Sequence, residues 1–267
     1  MDINLLFGYI GALSIGIVLG LIGGGGSILT VPILVYLLAI NPVLATAYSL
    51  FVVGVSSLFG ALRNAAKGLV DFKVALIFSV PAFIAVYIAR KFLVPAIPES
   101  IFQFNSFELT KNIAIMVFFA IIMLLAALSM ISNKQNSTES EETQKIQYNY
   151  PIIMIKSFFV GIITGIVGAG GGFLFVPSLI ILAKLPMKKA VATSLLIIGI
   201  NSLIGFTGDL QYLEIDWSFL LSFTIVAIVG IYMGMWLSKF IEGKKLKAAF
   251  GWFVLCMAIY IIFKELL

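Results

Sequence analysis

Apolar residues fall in runs at about 3–22, 27–40, 42–62, 72–93, 109–131, 151–167, 172–185, 187–206, 217–238 and 247–265. Most reach the roughly 20 residues that a helix needs to cross a hydrocarbon core about 30 Å thick. Two are shorter. The runs 27–40 and 172–185 hold about 14 residues, enough for about 21 Å of helix. Each follows a glycine cluster, Gly23-Gly24-Gly25-Gly26 in one case and Gly168-Ala169-Gly170-Gly171-Gly172 in the other. A short helix beside a glycine break predicts a re-entrant or discontinuous element rather than a plain span. One long polar stretch, 132–150, is too rich in Ser, Thr, Asn, Gln and Glu to bury a core, and it reads as an extramembrane linker.

Composition supports a bilayer as the solvent. Hydrophobic residues make up 61% of the 267 and charged residues 11%. Soluble domains carry about 25% charged residues, so water cannot solvate this surface. The chain contains no histidine, which excludes imidazole bases, Ser–His nucleophiles and His-bearing metal sites. Cys256 is the single cysteine, so an intrachain disulfide, a Cys-cluster zinc site and an iron–sulfur site are excluded too. It reads as a small apolar packing residue. No cofactor is expected. The net charge of +5 is read as basic cytoplasmic loops rather than as a nucleic-acid surface. The first residues, MDINLL, lack the basic region of a cleaved signal peptide, so the first apolar run is expected to stay in the mature protein.

Shifting the chain on itself by 145 residues reveals an internal repeat. Gly16, Gly20, Gly23, Gly25, Gly26, Val31 and Pro32 meet Gly161, Gly165, Gly168, Gly170, Gly171, Val176 and Pro177. Further on, Ala45, Ala47, Ser49, Gly54, Ser57, Gly60 and Asp71 meet Ala190, Ala192, Ser194, Gly199, Ser202, Gly205 and Asp216. Apolar bias alone would align Leu with Ile, but not glycines, a proline and an aspartate. The expected organisation is a first repeat over 1–131, the linker 132–150, and a second repeat over 151–267.

Charge orients the copies. Arg63, Lys67, Asp71 and Lys73 follow the second long run of the first copy, whereas the equivalent loop carries Asp209, Glu214 and Asp216. Lys184, Lys188 and Lys189 follow the second short run, where the first copy is uncharged around Asn41. Placing 63–73, 132–156, 184–189 and 239–247 in the cytoplasm leaves only Arg90, Lys91, Lys111 and Lys264 of the 17 basic residues outside. Opposite bias in equivalent loops is the mark of inverted repeats under the positive-inside rule. Both termini are then expected outside a cell membrane, with the linker inside.

The glycine clusters carry the candidate chemistry. Small residues free the backbone for positive φ and close approach, and a helix beginning there offers free N–H groups and a positive dipole end to an anion. Gly23, Gly24, Gly25, Gly26 and Ser27 of the first motif, with Gly168, Gly170, Gly171, Gly172 and Phe173 of the second, therefore form a candidate anion site. Close helix packing is the competing role, and it is the preferred one for the spaced pairs Gly16/Gly20, Gly161/Gly165 and Gly230/Gly234. Ser49 and Ser194, at equivalent positions, could donate to an oxoanion or bond their own helices. Asn201 is either pocket lining or a bond between helices. Asp71 and Asp216 read as helix caps, and Arg63 as an anchor at the cytoplasmic face. No acidic or basic residue falls clearly inside a long apolar run.

The paired Gly-rich motifs ending in Val-Pro, each followed by an Ala-x-Ala-x-Ser stretch (Ala45–Ser49 and Ala190–Ser194), resemble the sulfite exporter TauE/SafE family, the TSUP transporters. The likeness runs over nearly the whole chain, although Ala169 interrupts the second glycine run and Gly172 stands where the first copy has Ser27. It implies an all-α polytopic membrane protein that acts as a secondary transporter of small sulfur-containing anions, such as sulfite, thiosulfate or sulfoacetate. An anion channel using the same pocket is the alternative reading. An enzyme is not expected, because no nucleophile–base pair is visible. The expected partners are the small anion and the lipid bilayer, not nucleic acid.

Overall fold

The computed structural model describes residues 3–104, 107–132, 150–168, 170–240 and 243–266. Helix α1 (Ile3–Ile22) is followed across the first glycine break by the short α2 (Ser27–Pro32), which widens into a π turn over Ile33–Leu37. Next come α3 (Pro42–Ala65) and α4 (Phe72–Ile88). The latter runs on through a second π turn, Ala89–Leu93, into the single turn α5 (Val94–Ala96). A two-stranded antiparallel hairpin, β1 (Ser100–Phe104) and β2 (Phe107–Thr110), leads into α6 (Lys111–Ser132). The second series is α7 (Tyr150–Val167), α8 (Gly172–Leu182), α9 (Met187–Asp209), α10 (Trp217–Leu237) and α11 (Gly243–Leu266). Linker residues 133–149 lie outside the described residues. The hairpin is an addition to the all-α architecture expected from the sequence.

Among the described residues, six helical stretches are long and apolar enough to cross a bilayer: Leu5–Ile22, Pro42–Ala65, Phe72–Ala96, Lys111–Leu128, Met187–Asp209 and Trp217–Leu237. The outer surface agrees, since Phe7, Leu62, Leu76, Phe159, Ile225 and Phe263 all point outward. In water such a coat would be an aggregation surface, and in lipid it is the solvated face. Cys256 also faces outward from α11, so it is not the packing residue its apolar neighbours suggested.

Local sequence explains the element boundaries. Asn41 caps α3 by accepting from the Val43 N–H at 2.9 Å, with Pro42 at the first helical position. Asp71 caps α4 through the Val74 N–H and Asp216 caps α10 through the Phe219 N–H, each at 3.0 Å. The short helices end alike, each on a left-handed non-glycine residue, Ala39 at φ +54° and Lys184 at φ +45°. Beyond those turns the Ile40 N–H reaches the Leu34 carbonyl, and the Leu185 N–H reaches that of Leu179. All these paired positions are 145 residues apart.

The packing repeats with the same offset. Helix α1 lies against α10 and α4 against α7, while α3 packs on α9 and α6 on α11. Each of these long helices thus finds its main neighbour in the other half of the sequence, whereas the short α2 and α8 pack mainly on α3 and α9 of their own halves. Small residues make the first two contacts. A Cβ on Gly16 would meet the α10 backbone at Ile231 N (2.7 Å) and Gly230 Cα (2.8 Å), and one on Gly161 would meet Ala85 Cβ (2.8 Å) and Ala82 Cα (2.9 Å). Those spaced glycines are packing residues, as the sequence suggested.

Candidate functional site

Both glycine breaks turn through left-handed backbone, at Gly23 (φ +85°) in the first and at Gly168, Gly170 and Gly171 (φ +68°, +65° and +69°) in the second. A side chain would strain each of these residues. The amides at the turns are held alike, Gly23 N–H donating to Leu19 at 2.8 Å and Gly168 N–H to Thr164 at 2.9 Å. In the first break the N–H groups of Ser27, Ile28 and Leu29 donate to the carbonyls of Gly24, Gly25 and Gly26, and Ser27 Oγ donates to the Gly24 carbonyl at 2.7 Å. The amides of Gly24, Gly25 and Gly26 donate to no backbone carbonyl among the described residues.

The two breaks touch. A Cβ on Gly24 would overlap the Gly172 carbonyl, and one on Gly172 would overlap the Gly24 backbone. Around this contact each break leans on a helix from the other half. A Cβ on Gly23 would lie 3.1 Å from Ser194 Oγ of α9, and Gly168 packs on Thr46 of α3. A Cβ on Gly170 would lie 2.7 Å from Ser202 Oγ. Gly26 and Gly171 face the other way, against α1 and α7 at Leu19 and Thr164, and their smallness serves packing. Phe173 sits in the first turn of α8, but its side chain and Ala169 lie outside the described residues.

Helices α3 and α9 bring buried polar groups to the same region. Ser49, Ser56, Ser57 and Ser202 are buried with no hydrogen-bond partner among the described residues, and both amide atoms of Asn201 are likewise unpartnered there. Ser194 differs: its Oγ donates to the Val191 carbonyl of its own helix at 2.8 Å. Each unpaired buried polar group costs about 1–3 kcal/mol, and of these groups Ser202 lies directly against the second glycine break, at Gly170. Ser49 and Ser56 on α3, and Ser194 and Asn201 on α9, are each two turns apart and share a face.

Two arrangements were not anticipated. The backbone N–H of Asp71 donates to Thr193 Oγ1 at 3.0 Å, and that of Asp216 donates to the Tyr48 hydroxyl at 2.8 Å. Thr193 and Tyr48 are equivalent positions, so one latch occurs twice with different side chains. The second arrangement is a buried ion pair between Arg90 and Asp209, with Arg90 also donating to Thr46 Oγ1 at 3.1 Å. Both residues stand at the ends of apolar runs, where charges normally belong to loops. Arg63, the expected anchor, lies over the Tyr232 ring at 5.2 Å. No group of three or more His, Cys, Asp or Glu suited to a metal occurs among the described residues.

A helical membrane protein whose two broken segments meet in its interior has the architecture of a transporter, with irregular backbone kept away from lipid. The family model described as "Sulfite exporter TauE/SafE" matches residues 9–261, and the chain belongs to that family. A "Probable membrane transporter protein" from Xylella fastidiosa (strain 9a5c) is 27% identical over 254 residues, covering 94% of this chain and 92% of the relative. "Probable membrane transporter protein YunE" from Bacillus subtilis is 28% identical over 243 residues, 86% of each chain. "Probable membrane transporter protein MJ0441" from Methanocaldococcus jannaschii is 35% identical over 116 residues, 41% of this chain and 43% of that one. No solved structure gives a significant match. The protein is a multi-pass membrane transporter.

Proposed function

We infer that the protein is a secondary transporter of a small sulfur-containing anion, such as sulfite, thiosulfate or an organosulfonate like sulfoacetate, working by alternating access across the cell membrane. The reading rests above all on the contact between Gly24 and Gly172, with the unpartnered Ser202 hydroxyl against neighbouring Gly170 and further unpartnered polar groups, Ser49 and Asn201, buried on α3 and α9. Glycine amides and hydroxyls can replace part of an oxoanion's hydration. Residues 1–131 and 151–267 are two repeats of inverted topology, joined by a cytoplasmic linker at 132–150, with both termini outside. The charge bias of the loops supports that orientation.

The test is flux of radiolabelled sulfite, thiosulfate and sulfoacetate into proteoliposomes, with sulfate, phosphate and chloride as competitors. Saturable flux of one sulfur anion that resists chloride is the expected result. Absence of flux for all three would reject the substrate class, and a linear, uncoupled current would reject the carrier mechanism in favour of a channel.

A further inference from the structure

Arg90 is fully buried in the π turn Ala89–Leu93, and Asp209, the last residue of α9, is 4% exposed. Arg90 Nε donates to Asp209 Oδ2 at 2.7 Å, and Nη2 lies 2.6 Å from the same oxygen. Nη1 donates to Thr46 Oγ1 at 3.1 Å and, at 3.4 Å, to the Gly165 carbonyl. Both carboxylate contacts thus fall on one oxygen instead of forming a two-oxygen fork, and Nη2 makes no aligned hydrogen bond. A guanidinium with unused donors suits the oxygens of a sulfonate or sulfite.

The equivalent junction in the other copy is neutral. The positions 145 residues from Asp209 and Arg90 are Asn64 and Met235, and they too touch: Asn64 Nδ2 lies 3.8 Å from Met235 Sδ as donor. One junction is therefore closed with charge and its twin without, so charge is not required to hold the helices together. A buried ion pair is in any case commonly no more stabilising than neutral residues of similar volume. The charged version also has a location that the packing does not explain, because Thr46, which receives Nη1, is the residue on which Gly168 packs. The guanidinium stands one side chain away from the second glycine break.

We propose that Arg90 is the cationic ligand of the transported anion, and that Asp209 is the internal carboxylate that occupies it when no anion is bound. The proposal rests on the anion-transport reading. An arriving oxoanion takes Nε and Nη2 while Asp209 gives them up. On departure the carboxylate returns, so that Arg90 is never left as an unpaired charge inside the protein.

The decisive variant copies the neutral twin: Arg90→Met together with Asp209→Asn. It is expected to assemble and melt like the wild type while losing flux of radiolabelled sulfite, thiosulfate and sulfoacetate by roughly tenfold to a hundredfold, as for removal of a charged hydrogen bond. Wild-type flux with unchanged KM in this variant would overturn the proposal alone. A wild type that moves none of the three anions would overturn the sulfur-anion reading and the proposal with it. If the double variant fails to assemble, Asp209→Asn decides. With Arg90 unopposed, sulfite or thiosulfate should raise its melting temperature more than that of the wild type, and an equal or smaller rise would overturn the proposal.

Discussion

Tyr48 and Thr193 share neither size nor shape, yet each brings a hydroxyl to the backbone N–H of the aspartate that starts a helix in the other half of the chain. Removing either hydroxyl strands an amide and is expected to cost about 1 kcal/mol. Tyr48→Phe and Thr193→Val should therefore lower the melting temperature in detergent by similar amounts, and an effect in only one would show that the latches are not equivalent. Gly24 offers a sharper test. Because a Cβ there would overlap the Gly172 carbonyl, Gly24→Ala should abolish flux while leaving the α1–α10 and α4–α7 packing intact. Normal flux would mean that the two breaks need not touch during transport. The glycine motifs and the caps at Asp71 and Asp216 were legible in the sequence, because each is a local pattern with a local cause. The Arg90–Asp209 pair was not, since its members lie 119 residues apart and each reads alone as a loop charge. A signal did exist in the repeat, which sets Asp209 against Asn64 and Arg90 against Met235.

At the scale of elements, the long helices came from apolar run length, and the two short ones from the glycine break before each. What length could not supply was partnership. Apolar faces in lipid do not choose neighbours by hydrophobicity; here the choice lies in small residues that admit a backbone. Gly16 and Gly20 admit α10, and Gly161 and Gly165 admit α4. Gly20→Val would drive a branched side chain into Met235 N (2.7 Å) and the neighbouring α10 backbone, which cannot yield as a flexible side chain would. A loss of at least about 1–3 kcal/mol is expected, visible as a fall in the monodisperse fraction on size exclusion. An unaffected profile would show that the α1–α10 contact can open. The β1–β2 hairpin was missed because its residues, from Ser100 to Thr110, sit at the margin of an apolar run and carry no Asn-Gly or Asp-Gly turn signal.

For the whole molecule, these contacts constrain how access could alternate. If access alternates with the α1–α10 and α4–α7 packing kept, each moving body contains helices from both halves of the sequence. The Tyr9 hydroxyl lies 2.7 Å from Ser222 Oγ, so the two positions face each other across α1 and α10. Bridging Tyr9→Cys to Ser222→Cys with a short bis-maleimide, in a Cys256→Ser background, should leave flux unchanged. Arrested flux would place the moving boundary between α1 and α10.

The 145-residue exchange has a further consequence. Where α1 meets α10 the equivalent α7 and α4 meet as well, and Arg90 with Asp209 has its counterpart in Met235 with Asn64, which is the rule of an isologous dimer. In these contacts the two halves of the chain pair as two subunits of such a dimer do. The equivalence is not exact, since Arg90 meets Asp209 at one junction where Met235 meets Asn64 at the other. A chain divided between the halves is then expected to keep the fold. Residues 1–132 and 150–267, expressed together as separate chains, should associate and carry flux, whereas either piece alone would expose the backbone-lined grooves at Gly16 and Gly161 and self-associate.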